Sequence, residues 1–166
     1  LFRAEFEALG FKTEWTDGAS FGRAGHLLAQ RGDRGPRVLL IGHLDTVFEP
    51  DSPFQKFTRD GDIAHGPGTS DMKGGIVVAL SALHALAALD ALSDLRITIV
   101  LTGDEEDVGE PVELARAALM QAAADAHIAL GLENADDDSS TAVIARRSST
   151  SWTLNVKAPS AHSSQI

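Results

Sequence analysis

Val38-Leu39-Leu40-Ile41 is an unbroken apolar run closed by Gly42, and residues 95–102 (LRITIVLT) form a second, β-branched run. Runs of this length predict strands covered on both faces. Residues 128–132 predict a third strand, 26–29 a short one, and 141–145 a further one. Helix-like stretches lie between them. Residues 1–11 place Leu1, Phe2, Phe6 and Leu9 at helical spacing and close on Gly10, as a helix end does. Residues 72–92 are rich in Ala, Leu and Val almost all round, which predicts a long buried helix with His84 packed inside it. An Ala-rich helix is predicted over 111–123. Pro50, Pro53 and Pro67 make 48–68 mostly loop, with a short strand near Phe57. Strands alternating with helices imply an α/β fold: a mostly parallel sheet with helices on both faces.

The texture changes near Arg147. Trp152, Leu154 and Val156 alternate with Thr153, Asn155 and Lys157, the pattern of a half-buried strand in a different sheet. The expected organisation is one main domain over 1–147 and the opening of a smaller domain over 148–166. The chain starts at Leu1, not Met, and stops at Ile166 in a turn-like stretch, so it is expected to be the N-terminal part of a longer protein. With 14 basic and 24 acidic residues, the net charge is −10, which argues against nucleic-acid or anionic-membrane binding. Cysteine is absent, excluding disulfides and a thiolate zinc site. The apolar stretches contain charge or look too short to span a bilayer. No compartment follows from these features.

The charge becomes informative through its placement. His43 and Asp45 follow the first long run, Glu105 and Glu106 the second, and Glu133 the third, while Asp71 sits in a glycine-rich loop before the long helix. In parallel α/β sheets, sites form outside the carboxyl ends of strands, so topology would gather these groups at one edge. Each alone has a plainer explanation. His43 and Asp45 could be an unrelated surface pair, Asp71 a helix N-cap, Glu105-Glu106 a charged loop and Glu133 an acid beside a turn. Together they are the hard, ionised groups that a hydrolytic two-metal centre needs.

The segments GHLDTVF, GPGTSDMKGG, LTGDEE and GLEN, in that order, resemble the co-catalytic zinc peptidases of the M20 type, which include aminoacylases, glutamate carboxypeptidases, acetylornithine deacetylase and succinyl-diaminopimelate desuccinylase. The resemblance covers nearly the whole chain. It implies two divalent ions, zinc foremost with cobalt or manganese as alternatives. By this resemblance His43 and Glu133 bind one ion, Glu106 binds the other and Asp71 bridges both. Asp45 orients His43, and the peptide after Asp71 is often cis. Glu105 is the general base for a metal-activated water that cleaves an amide bond in a small peptide or N-acyl amino acid. His162 corresponds to a histidine of the smaller lid domain that steadies the substrate carbonyl, often across a homodimer. A final histidine ligand is expected beyond residue 166.

Two rival functions compete with that reading. A nucleotide-binding domain would need a Gly-Lys followed by Ser or Thr, whereas Lys73 lies between Met72 and Gly74. Asp71 also occupies the place of the third glycine of a dinucleotide fingerprint. A non-catalytic scaffold that dimerises through the lid would have no use for the intact set of ionised groups.

Overall fold

The strands are β1 (Lys12–Asp17), β2 (Gly25–Arg31), β3 (Arg37–His43), β4 (Thr58–Asp60), β5 (Ile63–His65), β6 (Arg96–Thr102) and β7 (Ile128–Gly131); the helices are α1 (Phe2–Ala8), α2 (Gly74–Ala88), α3 (Val112–Ala115) and α4 (Ala117–Asp125). This computed structural model describes residues 1–135, 138, 140–145, 147, 150 and 152–157. Two units are distinguished, Leu1–Asn134 and Ala135–Ile166.

The two long apolar runs, β3 and β6, pair in parallel at the heart of a five-stranded sheet, with Val38 opposite Ile97 and His43 opposite Thr102. β7 extends the sheet in parallel beyond β3. On the other side β2 joins β6 antiparallel, and β1 joins β2 antiparallel, giving the order β1-β2-β6-β3-β7. Only β2 therefore runs against the others, and the fold is α/β as the alternation implied. β4 and β5 form a separate hairpin. Of the run 48–68, only this hairpin is regular, and its first strand starts just after Phe57.

Successive residues of β6 point to opposite faces. Ile97, Ile99 and Leu101 pack with Phe6, Ile76 and Leu83 beneath α1 and α2. On the reverse face Leu39 and Thr98 border Ala122 and Ala126, where α4 lies. Each fully buried Leu or Ile contributes about 1.5–3 kcal/mol, so stabilisation concentrates on β6, the strand that carries Glu105 and Glu106 at its end.

Several expectations are corrected. The long helix begins at Gly74, after a π-type turn over Thr69–Lys73 in which Asp71 (φ −114°, ψ 99°) and Met72 (φ −127°, ψ 27°) are non-helical. α2 is buried along one side only. Ile76, Ala79, Leu80 and Leu83 face the core, whereas Val77 and Val78 are exposed, because a helix laid on a sheet hides one stripe. His84 falls on the outer side, 4.0 Å from Glu5 Oε2, and is not a core residue. Thr69–Ala88 is long and apolar enough to cross a membrane by length and composition. The expectation on apolar length does not hold for this stretch, whose one buried stripe packs against the sheet. The helix over 111–123 breaks at Arg116 into α3 and α4. β1 escaped the sequence pattern because its six residues, KTEWTD, include one large apolar side chain.

In the second unit, residues 141–145 and 152–157 form no strand, and Trp152 is 91 % exposed. Alternation marks a strand only when a sheet offers a ladder partner, and the described residues supply none there.

Candidate metal centre

The carboxyl ends of the parallel strands deliver the ionisable groups to one place. His43, the last residue of β3, is 1 % exposed, and its backbone N–H points at Met72 Sδ 3.2 Å away. Its Nε2 lies 3.0 Å from Asp71 Oδ1. Its Nδ1 faces Asp45, 3.3 Å from the backbone oxygen and 3.4 Å from Oδ1. The proximity to Oδ1 is not a hydrogen bond, and that atom is buried without a partner. The other oxygen, Asp45 Oδ2, accepts the backbone N–H of Glu106 at 3.0 Å. Asp45 thus touches both the imidazole and the loop after β6.

Asp71 does not cap α2; no side-chain capping bond forms there, and its carboxylate turns toward His43. The Asp71–Met72 peptide is cis. Gly68 sits at φ +69°, a backbone region that favours glycine, and a Cβ there would collide with Lys73 Nζ. Glu133 arrives from the segment after β7. This segment presses against the start of α2 so closely that a Cβ on Gly75 would overlap the Leu132 carbonyl oxygen. Ser70 Oγ donates to Asn134 Oδ1 at 3.1 Å, tying the same segment to the turn that bears Asp71.

Two overlapping groups result. His43, Asp71 and Glu133 bring their ligand atoms within 4.8 Å of one another, and so do His43, Glu105 and Glu106. An imidazole with several carboxylates is a hard, oxygen-rich donor set suited to zinc, cobalt or manganese. The local electrostatics fit a cation as well. Burial and then the charges of Asp71, Glu105 and Asp45 push the Glu106 carboxyl up, with His43 opposing them. Burial pulls the His43 pKa down, but the hydrogen bond that its ring donates to Asp71 and the charges of Asp45, Glu105 and Asp71 outweigh it and leave the value raised. Burial lowers the Lys73 pKa against the pull of Asp45 and Asp71. A crowded acid that resists ionisation, as Glu106 does, is what a divalent ion relieves.

Val47, Phe48, Phe54 and His65 join Asp71 and Glu106 around a cavity of about 280 Å³. Phe48 and Phe54 meet edge to face, with centroids 4.8 Å apart. His162 lies outside the described residues. Three further groups lie next to the site: Asp104 and Arg116, which no sequence motif singled out, and His26, which matches no ligand position. The available signals were an extra acid ahead of Glu105 and a histidine opening the apolar stretch HLLA.

Substituting Gly75 tests the close approach. Ala in a helix interior normally stabilises by roughly 0.5–1 kcal/mol relative to Gly. Here the overlap with Leu132 reverses the sign, and Gly75→Ala is expected to destabilise by about 1–3 kcal/mol. It should also displace Glu133 and weaken divalent-ion binding by about tenfold or more. Thermal unfolding with ion titration reads both, and a variant as stable and as tight as the parent would contradict the packing.

This chain resembles known proteins in sequence and in fold. The family model described as Peptidase family M20/M25/M40 matches residues 39–159. A succinyl-diaminopimelate desuccinylase of Acidiphilium cryptum is 37% identical over 122 residues, covering 71% of this chain and 30% of that protein. Its counterpart in Gluconacetobacter diazotrophicus is 35% identical over 114 residues, covering 64% and 29%. The chain thus spans about three-tenths of the length of the curated relatives it matches. Among solved structures, an M20 family metallo-carboxypeptidase from Sulfolobus solfataricus superposes with a TM-score of 0.61 at 19% identity, over 79% of this chain and 30% of that one. A tripeptidase from Staphylococcus aureus gives 0.58 at 21%, over 82% and 37%. These two show a shared fold. With the family model matching most of its length, this chain is a member of peptidase family M20/M25/M40.

Proposed function

We propose that this chain supplies the metal-binding core of a hydrolase that cleaves amide bonds in small peptides or N-acyl amino acids. The observation that carries the reading is the pair of donor groups sharing His43, one with Asp71 and Glu133, the other with Glu105 and Glu106. His43 and Glu133 would hold one divalent ion, Glu106 a second, and Asp71 would lie between them, as in the family. When bound, such ions supply Lewis acidity and make water a nucleophile near neutral pH.

The chain's own groups divide the remaining work. Glu105 is the more exposed of the two adjacent acids, so it can meet a water and a substrate. It takes the proton of the attacking water and passes it to the departing amine, acting as base and then acid. Asp45 holds the His43 ring from behind through its backbone oxygen and pins the Glu106 backbone through its carboxylate, fixing both in one frame. The cavity beside Phe48 and Phe54 takes part of the substrate and keeps water from it. His162, by the family resemblance, would steady the carbonyl oxygen, and the small domain opening at 148 would mediate a homodimer.

The relatives named as desuccinylases place N-succinyl amines among the substrates to try. The intact protein should hydrolyse at least one member of a panel of dipeptides, N-acetyl and N-succinyl amino acids. A chelator should abolish that activity, and divalent ion should restore it. Turnover that persists unchanged in ion-free protein would sink the proposal.

A further inference from the structure

Behind the acidic cluster lies a second charged group that the hydrolytic reading leaves unused. Asp104, immediately before Glu105, is fully buried. Arg116 Nη1 donates to Asp104 Oδ1, while Arg116 Nη2 donates to the backbone oxygen of the same residue at 3.1 Å. The Gly109 N–H donates to Asp104 Oδ2 at 3.1 Å. One guanidinium therefore grips both the side chain and the main chain of a single residue. Arg116 stands at the junction of α3 and α4, where the predicted helix breaks.

His26 closes the group from the β2 side. It is 2 % exposed and stacks on Phe21, with centroids 4.9 Å apart and planes at 15°. Its Nε2 lies 2.8 Å from the Ala115 carbonyl oxygen and so must donate, which leaves Nδ1 to accept the Gly103 N–H at 3.3 Å. The loop is thus tied down at Gly103, at Asp104, at Glu106 through Asp45, and at Gly109. Glu105 and Glu106 project from a stretch anchored on both sides.

Stability alone gives little reason for this arrangement. A buried ion pair is often no better than well-packed apolar residues of similar volume, whereas buried charge with directional hydrogen bonds fixes geometry. Resting on the hydrolase reading above, we infer that Asp104 and Arg116, backed by His26, are positioning residues that set where the Glu105 and Glu106 carboxylates stand. Neither reaches the reacting atoms; both act through the loop.

The test uses the intact protein, with Co²⁺ as the probe. Arg116→Lys keeps the charge but replaces the planar fork that holds the Asp104 side chain and backbone with a single ammonium. Asp104→Asn keeps the size and an acceptor but loses the ion pair. Both variants should fold, and their Co²⁺ absorption bands should shift in position or intensity. Co²⁺ affinity and kcat should fall by about 10–100-fold, with KM within about twofold. Arg116→Lys should retain more of each than Arg116→Met, since it preserves part of the grip. Folded variants with the parent's Co²⁺ spectrum and kcat would overturn the inference. So would the loss of folding in both Asp104→Asn and Arg116→Lys, which would assign the pair to the fold instead. Parent protein that takes up Co²⁺, and loses it in Glu106→Gln, upholds the metal reading whatever the clamp variants do. Parent protein that takes up none overturns both.

Discussion

Glu105→Gln is expected to reduce kcat by about 10²–10⁴-fold while leaving divalent-ion affinity close to that of the parent. A thousandfold loss corresponds to about 4 kcal/mol of barrier. Gln keeps the shape and the carbonyl oxygen of Glu but cannot accept the proton of an attacking water. The readout must combine turnover with ion titration, because Glu105 also brings a carboxylate oxygen within 4.8 Å of the His43 and Glu106 ligand atoms. A fall in kcat with affinity retained assigns Glu105 as base. A parallel fall in both would make it a ligand, and full activity would remove it from the chemistry.

The second large effect is expected from His43→Ala. His43 belongs to both donor groups, so its loss dismantles each. Supporting partners of metal ligands typically account for 10–100-fold in affinity; removal of this shared imidazole should exceed about 100-fold. The parent protein should also show a pH dependence of defined sign. His43 titrates above its ordinary 6.5 in the ion-free fold, so protons compete with the ion as pH falls through that raised value. The ion-free protein behaves oppositely. The stability gained from protonated His43 beside Asp71 is complete below the unfolded value of 6.5 and is lost as pH rises through the folded one. Calorimetric titration at several pH values checks both signs, and an ion affinity independent of pH would exclude His43 as a ligand.

Much of the framework was legible in order and type. The runs 38–41 and 95–102 could only be buried strands, since a continuous apolar stretch needs cover on two faces, and they became the central pair β3 and β6. The gathering of His43, Asp71, Glu105, Glu106 and Glu133 was legible through the topology: strand ends aim their next residues at one edge. The helix start was misjudged by two residues, because the apolar pattern from residue 72 hides a non-helical Met72 ahead of Gly74. Trp152 to Val156 alternate as a strand does, and among the described residues they meet no partnering strand.

The order of strands and helices, the acidic and histidine groups at their ends, and the family resemblance were all available from the linear chain. Each depends on local periodicity or on short motifs, which neighbouring residues alone specify. The one-sided burial of α2, the exposure of His84, the press of Gly75 against Leu132 and the grip of Arg116 on Asp104 were decided only in three dimensions. Which side of a helix meets the sheet, and which arginine finds a buried aspartate, is settled by packing between segments distant along the chain, and no local pattern encodes that choice.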